Sequence, residues 1–436
     1  MKLIILYLIG IVASGRCIDI GDFDKYTEDE LKDIYGEVVH ASVLFRHGDR
    51  TPYAPYPLDP YKNYVWSQGY GHLTNIGKER LYRVGKWFRK RYEHLVREKY
   101  TYEDVLMQSS DYDRTLMSAA AFLAGFYPPS NSELWNSDNI TWQPIPIHSI
   151  PLEYDSMISM YRPCDAYNQE ALTANYAIKY KEMFKKYEIF FNFVGVNTGI
   201  IFSEHYLGFA FLKLMEVYDS LAVQSQHNLT LPDWAEEVFP QPMEYLALRI
   251  FDFGTYSLKM KRIKAGPFLK SIKADMNKKA QDNLEQKIHF YSGHDATITT
   301  VMNTLEISND ILPPYGSALM FELRKKHTEY FVTILYRNST EYPPFLLQLK
   351  NCNTFCTLQE FINVINTFIP EDWEKECKIE VGYTSSYFSS WPFDWVQTLM
   401  LFFVILFLVS TILYFHYERN PQIYMNMFGK TKNKEM

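Results

Sequence analysis

Short runs of apolar and β-branched residues recur along the chain, separated by segments with helical spacing. The pattern typical of buried strands is met in five runs, at 38–45, 104–109, 287–292, 318–323 and 330–336. Helices are predicted to begin at Thr74 and at Ala296, where apolar residues recur every three or four positions. This order of elements predicts an α/β fold, with a central mixed β-sheet flanked by helices.

The middle of the chain follows a different pattern. From 152 to 265, helical spacing dominates, strand patterns fade, and tyrosines and methionines are common. We predict a smaller, mostly helical cap there, inserted into an α/β core formed by 38–151 and 266–378. Residues 18–36 are rich in Asp and Glu and are predicted to be a solvated lead-in, with room for one helical turn.

Both ends of the chain carry membrane-related patterns. Residues 1–15 combine a positive start, a short apolar core and small residues, which is typical of a secretory signal peptide. Residues 396–415 form an uncharged stretch of the length that a transmembrane helix needs, followed by basic residues; a buried core helix is the alternative. We therefore predict a single-pass type I membrane protein with a stalk at 379–392 and a cytoplasmic tail at 416–436.

The composition narrows the class of protein further. Hydrophobic residues make up 47% and charged residues 22% of the chain, which is typical of a folded globular protein. The formal net charge of −7 argues against a nucleic-acid-binding protein, which would present a basic face.

Cysteines and glycosylation signals fit an oxidising compartment. Of five cysteines, Cys17 lies beside the predicted cleavage site, and the other four allow three pairings. The closeness of Cys352 and Cys356 favours a small local loop, which leaves Cys164 with Cys377. No metal-binding pattern is evident in these cysteines. Three glycosylation signals begin at Asn139, Asn228 and Asn338.

The most unusual local composition follows the first predicted strand. Residues 46–52 read RHGDRTP, so that His47 stands beside Arg46 and close to Arg50. Guanidinium groups are permanently charged, forked donors that suit phosphate oxygens, and the imidazole can act as a nucleophile. Gly48 is predicted to let an anion approach the backbone closely. The alternative is a strand-end loop with solvated arginines and a structural histidine.

Two further predicted strands end in charged turns. Asp113 is predicted to cap a helix that places Arg114 in its first turn, and His294 and Asp295 follow the strand at 287–292. Turns at the carboxyl edge of an α/β sheet are where such folds gather ligand sites. We therefore expect the three turns to converge on one site.

With these motifs in hand, the sequence resembles the histidine phosphatase superfamily, specifically the histidine acid phosphatases of the prostatic and lysosomal type. The resemblance covers about 38–378. Its motifs are RHGDRTP at 46–52, DRTLMSA at 113–119, WQPIPIHSIP at 142–151, HNLTLPDW at 227–234, SGHD at 292–295, LPPYGSAL at 312–319 and IPEDWEKEC at 369–377. The chain lacks both cysteines of a third disulfide that is common in the family's vertebrate members, and its acidic lead-in is longer than expected.

The resemblance implies a role for each residue of the three turns. His47 resembles the nucleophile that forms a phosphohistidine intermediate, and Asp295 resembles the general acid. Arg46, Arg50, Arg114 and His294 resemble the groups that bind the phosphate. The resemblance further implies a phosphate monoester substrate and a homodimer. No metal or other cofactor is expected, because the arginines supply the positive charge that metal ions supply in other phosphatases.

The charge around His47 also bears on the pH range of activity. Neighbouring positive charges disfavour protonation of the imidazole, whereas Asp295 must be protonated to act as an acid. We therefore predict an acid pH optimum. The other histidines of the body are interpreted as structural, although His205 lies in the cap, where it would be placed to line the pocket.

Two alternatives to a general acid phosphatase stay open. The enzyme could be restricted to lipid phosphates or phosphoproteins, because relatives differ chiefly in their caps. A non-catalytic membrane glycoprotein is the third reading, although all six site residues are present. Tyr424 begins a short pattern that fits an endosomal or lysosomal sorting signal, with the cell surface as the other location.

Overall fold

The structure is a computed structural model, and it describes residues 27–129, 135, 140–174, 177–282, 284, 286–338, 343–352, 356–378 and 411. Among these residues, no helix is both long and apolar enough to cross a membrane. The predicted signal peptide, stalk and cytoplasmic tail lie outside the described residues, as does the predicted transmembrane segment apart from Thr411.

A mixed β-sheet lies at the centre of the described residues, as predicted. Its strands are β1 Glu37–Arg46, β2 Val105–Ser110, β3 His148–Ile150, β4 Ile288–Gly293, β5 Ala318–Lys326, β6 Glu329–Arg337 and β7 Phe345–Leu347. The strand order is β3-β2-β4-β1-β5-β6-β7. The β3–β2, β2–β4 and β4–β1 pairs are parallel, whereas β1–β5, β5–β6 and β6–β7 are antiparallel. The half containing β2, β4 and β1 therefore has its carboxyl ends at one edge.

Helices cover both faces of the sheet and form the cap. The helices of the core are α1 Glu28–Tyr35, α2 Asn75–Arg91, α3 Asp113–Phe126, α10 Leu258–Ala280, α11 Asp295–Thr304, α12 Leu358–Asn366 and α13 Trp373–Glu376. Those of the cap region are α4 Asp165–Ala174, α5 Ile178–Lys186, α6 Glu188–Thr198, α7 Leu207–Gln226, α8 Met243–Ala247 and α9 Arg249–Gly254. The predicted cap boundary at 265/266 falls inside α10.

The alternating side chains of β1 divide the core into two layers. Val43 and Phe45 face a cluster that includes the side chains of α2 and α3, whereas Leu44 faces a cluster that includes those of α10, α11 and α12. Helices α2 and α3 approach closely at Gly85 and Gly125. A Cβ atom on Gly85 would lie 2.0 Å from the Phe122 carbonyl oxygen, so a larger residue would push the two helices apart.

The acidic lead-in is more ordered than predicted. Thr27 caps α1 in a capping box with Glu30, and Leu31 and Tyr35 are buried against the core. The Glu28 carboxylate accepts from the guanidinium of Arg324 at 2.9 Å. The expectation of a solvated segment is therefore wrong for 28–35, because one apolar stripe and the ion pairs of Glu28 with Arg324 and Arg91 attach this helix to the core.

The cap has its own hydrophobic cluster, which is formed mainly by α6, α7 and α8. The disulfide between Cys164 and Cys377 joins the start of the cap region to the end of the core, across 213 positions of sequence. A second disulfide joins Cys352 and Cys356. Both predicted pairings are confirmed.

Candidate active site

The parallel strands β1, β4 and β2 bring the three predicted turns together. Their carboxyl ends lie side by side, so that His47 after β1, His294 after β4 and Arg114 after β2 meet at one edge. The ring centroids of His47 and His294 are 5.5 Å apart. The expected convergence of the turns is therefore present.

The backbone around His47 fixes the orientation of its imidazole. Its Nδ1 lies 2.8 Å from the Gly48 carbonyl oxygen, which can only accept, so Nδ1 carries the proton and donates it. Nε2 is therefore left with its lone pair. Burial and then the charges of Arg46 and Arg114 hold the pKa of His47 well below its usual range. A buried, neutral imidazole with a free Nε2 is a competent nucleophile.

The structure requires a glycine at position 48 for a reason different from the predicted one. A Cβ atom there would lie 2.4 Å from the carbonyl oxygen of Gly77, in the first turn of α2. The glycine thus lets the loop after β1 pack against the start of that helix. The Gly48 N–H donates to the Ser118 hydroxyl of α3 at 3.1 Å, which ties the same loop to a second helix.

Arg46 is buried and is held by three contacts. Its Nη2 forms an ion pair of 2.6 Å with Asp295, and its Nη1 donates to the Pro313 carbonyl oxygen at 2.5 Å. The guanidinium lies over the Tyr315 ring, 4.1 Å from its centroid. These three contacts keep a buried cation in place.

Arg50 is held by a residue of the cap. Its Nη1 and Nη2 donate to the two carboxylate oxygens of Asp219 in α7, at 2.8 and 2.9 Å. Nη1 also donates to the Thr51 carbonyl oxygen at 3.1 Å. Asp219 could not be predicted from the sequence, because nothing in the local pattern separates it from other carboxylates on helices.

Arg114 lies in the first turn of α3, as predicted, but the cap of that helix differs. The N-cap is Tyr112 and forms no side-chain capping hydrogen bond, so the prediction that Asp113 caps the helix is wrong. Arg114 Nη2 donates to the Tyr53 hydroxyl at 2.5 Å and lies 3.4 Å from His294 Nδ1. The loop after Pro52 thus contributes Tyr53 to the site.

His294 is oriented by a chain of hydroxyl groups. Its Nε2 lies 2.9 Å from the Ser110 hydroxyl, which in turn lies 2.9 Å from that of Thr115. The Thr115 hydroxyl donates to backbone carbonyl oxygens, so Ser110 donates to Thr115 and accepts from His294. Burial and Arg114 lower the pKa of His294 to about 3. The ring is therefore neutral and carries its proton on Nε2.

Asp295 begins α11 with 21% of its side chain exposed. Burial pushes the pKa of its carboxyl group upward, but Arg46 and Arg50 more than offset this, and the pKa lies below its usual range. The group is therefore ionised in the free protein.

Each of the three arginines has an unpaired Nε donor among the described residues. The Nε atoms of Arg46, Arg50 and Arg114 are buried and have no hydrogen-bond partner within the part of the chain that the structure describes. Unpaired buried donors on three cations are unfavourable, and a tetrahedral oxyanion would satisfy them. The site is thus suited to a phosphate group.

His205 and the glycosylation asparagines that the structure describes do not belong to the three turns of the site. His205 is exposed in a turn before α7. Asn228 is exposed and Asn338 is half-buried, whereas Asn139 lies outside the described residues. Within the described ranges, no group of three or more His, Cys, Asp or Glu side chains is arranged to hold a metal ion.

Comparisons with known proteins agree with this geometry. The family model of the histidine phosphatase superfamily (branch 2) matches residues 37–337. Human prostatic acid phosphatase is 35% identical over 345 residues, which cover 78% of this chain and 88% of that protein. Human lysosomal acid phosphatase is 34% identical over 349 residues, covering 78% and 80%.

Solved structures show the same fold at lower identity. Hafnia alvei phytase in complex with tartrate superposes with a TM-score of 0.60 at 15% identity, covering 79% of this chain and 98% of that one. Citrobacter braakii phytase gives 0.59 at 17% identity, covering 79% and 100%. The chain belongs to the histidine phosphatase superfamily, branch 2, and is a hydrolase of the histidine acid phosphatase type.

Proposed function

We propose that the protein hydrolyses phosphate monoesters through a phosphohistidine intermediate on Nε2 of His47. The observation that carries the proposal is the buried imidazole, whose Nδ1–H is fixed by the Gly48 carbonyl group. The three arginines around it supply the charge that a phosphoryl group needs. The names of the relatives, prostatic and lysosomal acid phosphatase, support the same reaction.

In the first step, the lone pair of His47 Nε2 attacks phosphorus. The N–P bond forms as the bond between phosphorus and the ester oxygen breaks. Protonated Asp295 gives its proton to that oxygen, which leaves as an alcohol. In the second step, water attacks phosphorus and gives a proton to the Asp295 carboxylate. The N–P bond then breaks, releasing inorganic phosphate and restoring the imidazole.

The state of Asp295 links substrate binding to acid catalysis. In the free protein its carboxylate is paired with Arg46. A phosphate group bound to Arg46 would compete for the same guanidinium and offset its charge. Both effects raise the pKa of the Asp295 carboxyl group toward the protonated form that the first step requires.

Trapping the intermediate tests the proposal. The full chain in detergent is mixed with a ³²P-labelled monoester and quenched within milliseconds, and the protein is tested for a label that is labile in acid and stable in alkali. Such a label is expected on the unchanged chain and on His205→Ala, which alters an exposed histidine of the cap. His47→Ala should carry none; label retained on that variant would contradict the proposal.

We further propose a luminal or extracellular body anchored by residues 396–415, in the lysosomal and endosomal system or at the cell surface. The signal-like and uncharged segments of the sequence support this, as do the names of the relatives. Protease protection in sealed microsomes tests the orientation: the body should be protected and the tail digested. The proposed homodimer is tested by analytical ultracentrifugation of the detergent-solubilised chain.

A further inference from the structure

We propose that Asp219, on helix α7 of the cap, is a positioning residue that turns one edge of the Arg50 guanidinium toward the bound phosphate. The inference rests on the proposed function, because it assigns a role within the same phosphate site. Asp219 does not itself touch the reacting atoms.

The hydrogen bonds of Arg50 carry the argument. A guanidinium has five N–H groups in a fixed, planar arrangement. Asp219 accepts one from Nη1 and one from Nη2, at 2.8 and 2.9 Å, and the Thr51 carbonyl oxygen accepts the second from Nη1. The N–H of Nε and the second N–H of Nη2 remain. They point the same way along one edge of the plane, where they can bind two oxygens of one phosphate.

Burial of the ion pair between Arg50 and Asp219 restricts the orientation of the guanidinium. The side chains of Arg50 and Asp219 are 4% and 14% exposed. Burial alone would lower the pKa of Arg50, but Asp219 more than offsets this and raises it. A buried, bidentate ion pair leaves the guanidinium little freedom to rotate. The edge formed by Nε and Nη2 is therefore already in place before the substrate binds.

The helix that carries Asp219 is tied to the same loop at two more points. The Ser220 hydroxyl donates to the Ala54 carbonyl oxygen at 3.1 Å, and the Gln224 amide donates to the Asp59 carboxylate at 3.0 and 3.1 Å. The cap is thus joined to the loop that contains Arg50. These contacts also provide a matched control, because Ser220 joins the cap to the loop without touching Arg50.

Two opposite outcomes are possible for Asp219→Asn. If Asp219 orients Arg50, losing one carboxylate oxygen frees the guanidinium to rotate and weakens phosphate binding. If Asp219 only competes with phosphate for Arg50, or only contributes negative charge, its neutralisation strengthens phosphate binding. The direction of the change therefore decides between these roles.

Isothermal titration calorimetry of the full chain in detergent with inorganic phosphate at pH 5 provides the test. Asp219→Asn is expected to raise the dissociation constant about tenfold, and the KM for a monoester should rise with it. Ser220→Ala should change both by less than about twofold. Asp219→Glu keeps both carboxylate oxygens and should bind phosphate more tightly than Asp219→Asn. If the Asn variant does not fold, the Glu variant replaces it in the titration.

Unchanged or tighter phosphate binding by Asp219→Asn would overturn the inference, as would an equal loss in Ser220→Ala. Failure of the unchanged chain to bind phosphate would instead count against the proposed function. The two ideas can therefore fail separately.

Discussion

Arg46 and Asp295 form a 2.6 Å ion pair between the end of β1 and the start of α11, so the proposed general acid is paired with a proposed phosphate ligand. The guanidinium that is proposed to bind the substrate therefore also favours the ionised form of the proposed proton donor. If both roles hold, substrate binding and acid catalysis are coupled through the Arg46 side chain.

Asp295→Asn removes the proton donor and keeps the size of the side chain. We expect kcat to fall about 100-fold or more for alkyl phosphates, whose leaving oxygen needs the proton. The loss should be smaller for p-nitrophenyl phosphate, whose leaving group is stable as an anion. Steady-state kinetics with both substrates checks this, with exposed Asp113→Asn as the control; equal losses for the two substrates would contradict the assigned role.

The pH dependence of kcat/KM follows from the directions of two pKa shifts. The pKa of Asp295 is below its usual range, so the protonated fraction is already small at weakly acidic pH and decreases further as the pH rises. The pKa of His47 is also well below its usual range, so the nucleophile stays neutral in acid. We expect kcat/KM for an alkyl phosphate to decrease from weakly acidic toward alkaline pH. A profile that climbs steadily into the alkaline range would refute this.

The burial of His40 is expected to make the protein less stable in acid. It is fully buried, and burial lowers its pKa to about 4, from 6.5 in the unfolded chain. The unfolded state therefore takes up the proton first. The contribution of neutral His40 to the free energy of unfolding therefore decreases as the pH falls below about 6.5 and is lost below about 4. The total loss is about 3 kcal/mol. Urea unfolding of His40→Gln should show a correspondingly smaller decrease between pH 7 and pH 4.

Glu322 lies at the centre of a buried charge cluster that the sequence did not reveal. Its carboxylate accepts from Arg91 at 2.9 Å, from Arg324 at 2.5 Å and from the Tyr92 hydroxyl at 2.9 Å. Glu322→Gln leaves two buried cations poorly paired. We expect the free energy of unfolding to decrease by about 3–5 kcal/mol.

Exposed Glu79→Gln is the matched control for that variant, since it breaks a surface pair with Arg83 and should cost about 0.5 kcal/mol or less. Denaturant titration of both variants measures the difference. Similar losses of stability in the two variants would show that burial of the charge cluster does not determine how much Glu322 contributes to stability.

The two disulfides should contribute unequally to stability. Cys164–Cys377 closes a loop across 213 positions, and Cys352–Cys356 closes one across 4. Chain-entropy arguments give about 5 kcal/mol for the first and about 2 kcal/mol for the second. Replacing each pair by serines and measuring thermal unfolding tests this order; a larger effect of the short loop would reverse it.

The main strands and the strand-end residues could be predicted because their signals are local. An apolar run followed by a charged turn places His47, Arg114 and His294 at strand ends. Because the three strands are parallel neighbours, these ends lie at the same edge of the sheet. The edge strands β3 and β7 were not predicted, because three residues are too few to show an alternating pattern.

Long-range partners could not be predicted from local patterns. Asp219 lies 169 positions from Arg50, and Tyr53 lies 61 positions from Arg114. Neither residue differs locally from an ordinary surface carboxylate or loop tyrosine. In α1, the acidic composition obscured the buried pair Leu31 and Tyr35, whose spacing of four places both on one face of a helix.

The bond between Cys164 and Cys377 has a consequence for a chain that has been cut. Any single cleavage of the backbone between these two residues leaves both pieces covalently joined. The piece carrying His47 would then stay attached to the piece carrying Cys377 until a reductant acts. A nicked molecule is therefore expected to run as one band on a non-reducing gel and as two on a reducing gel.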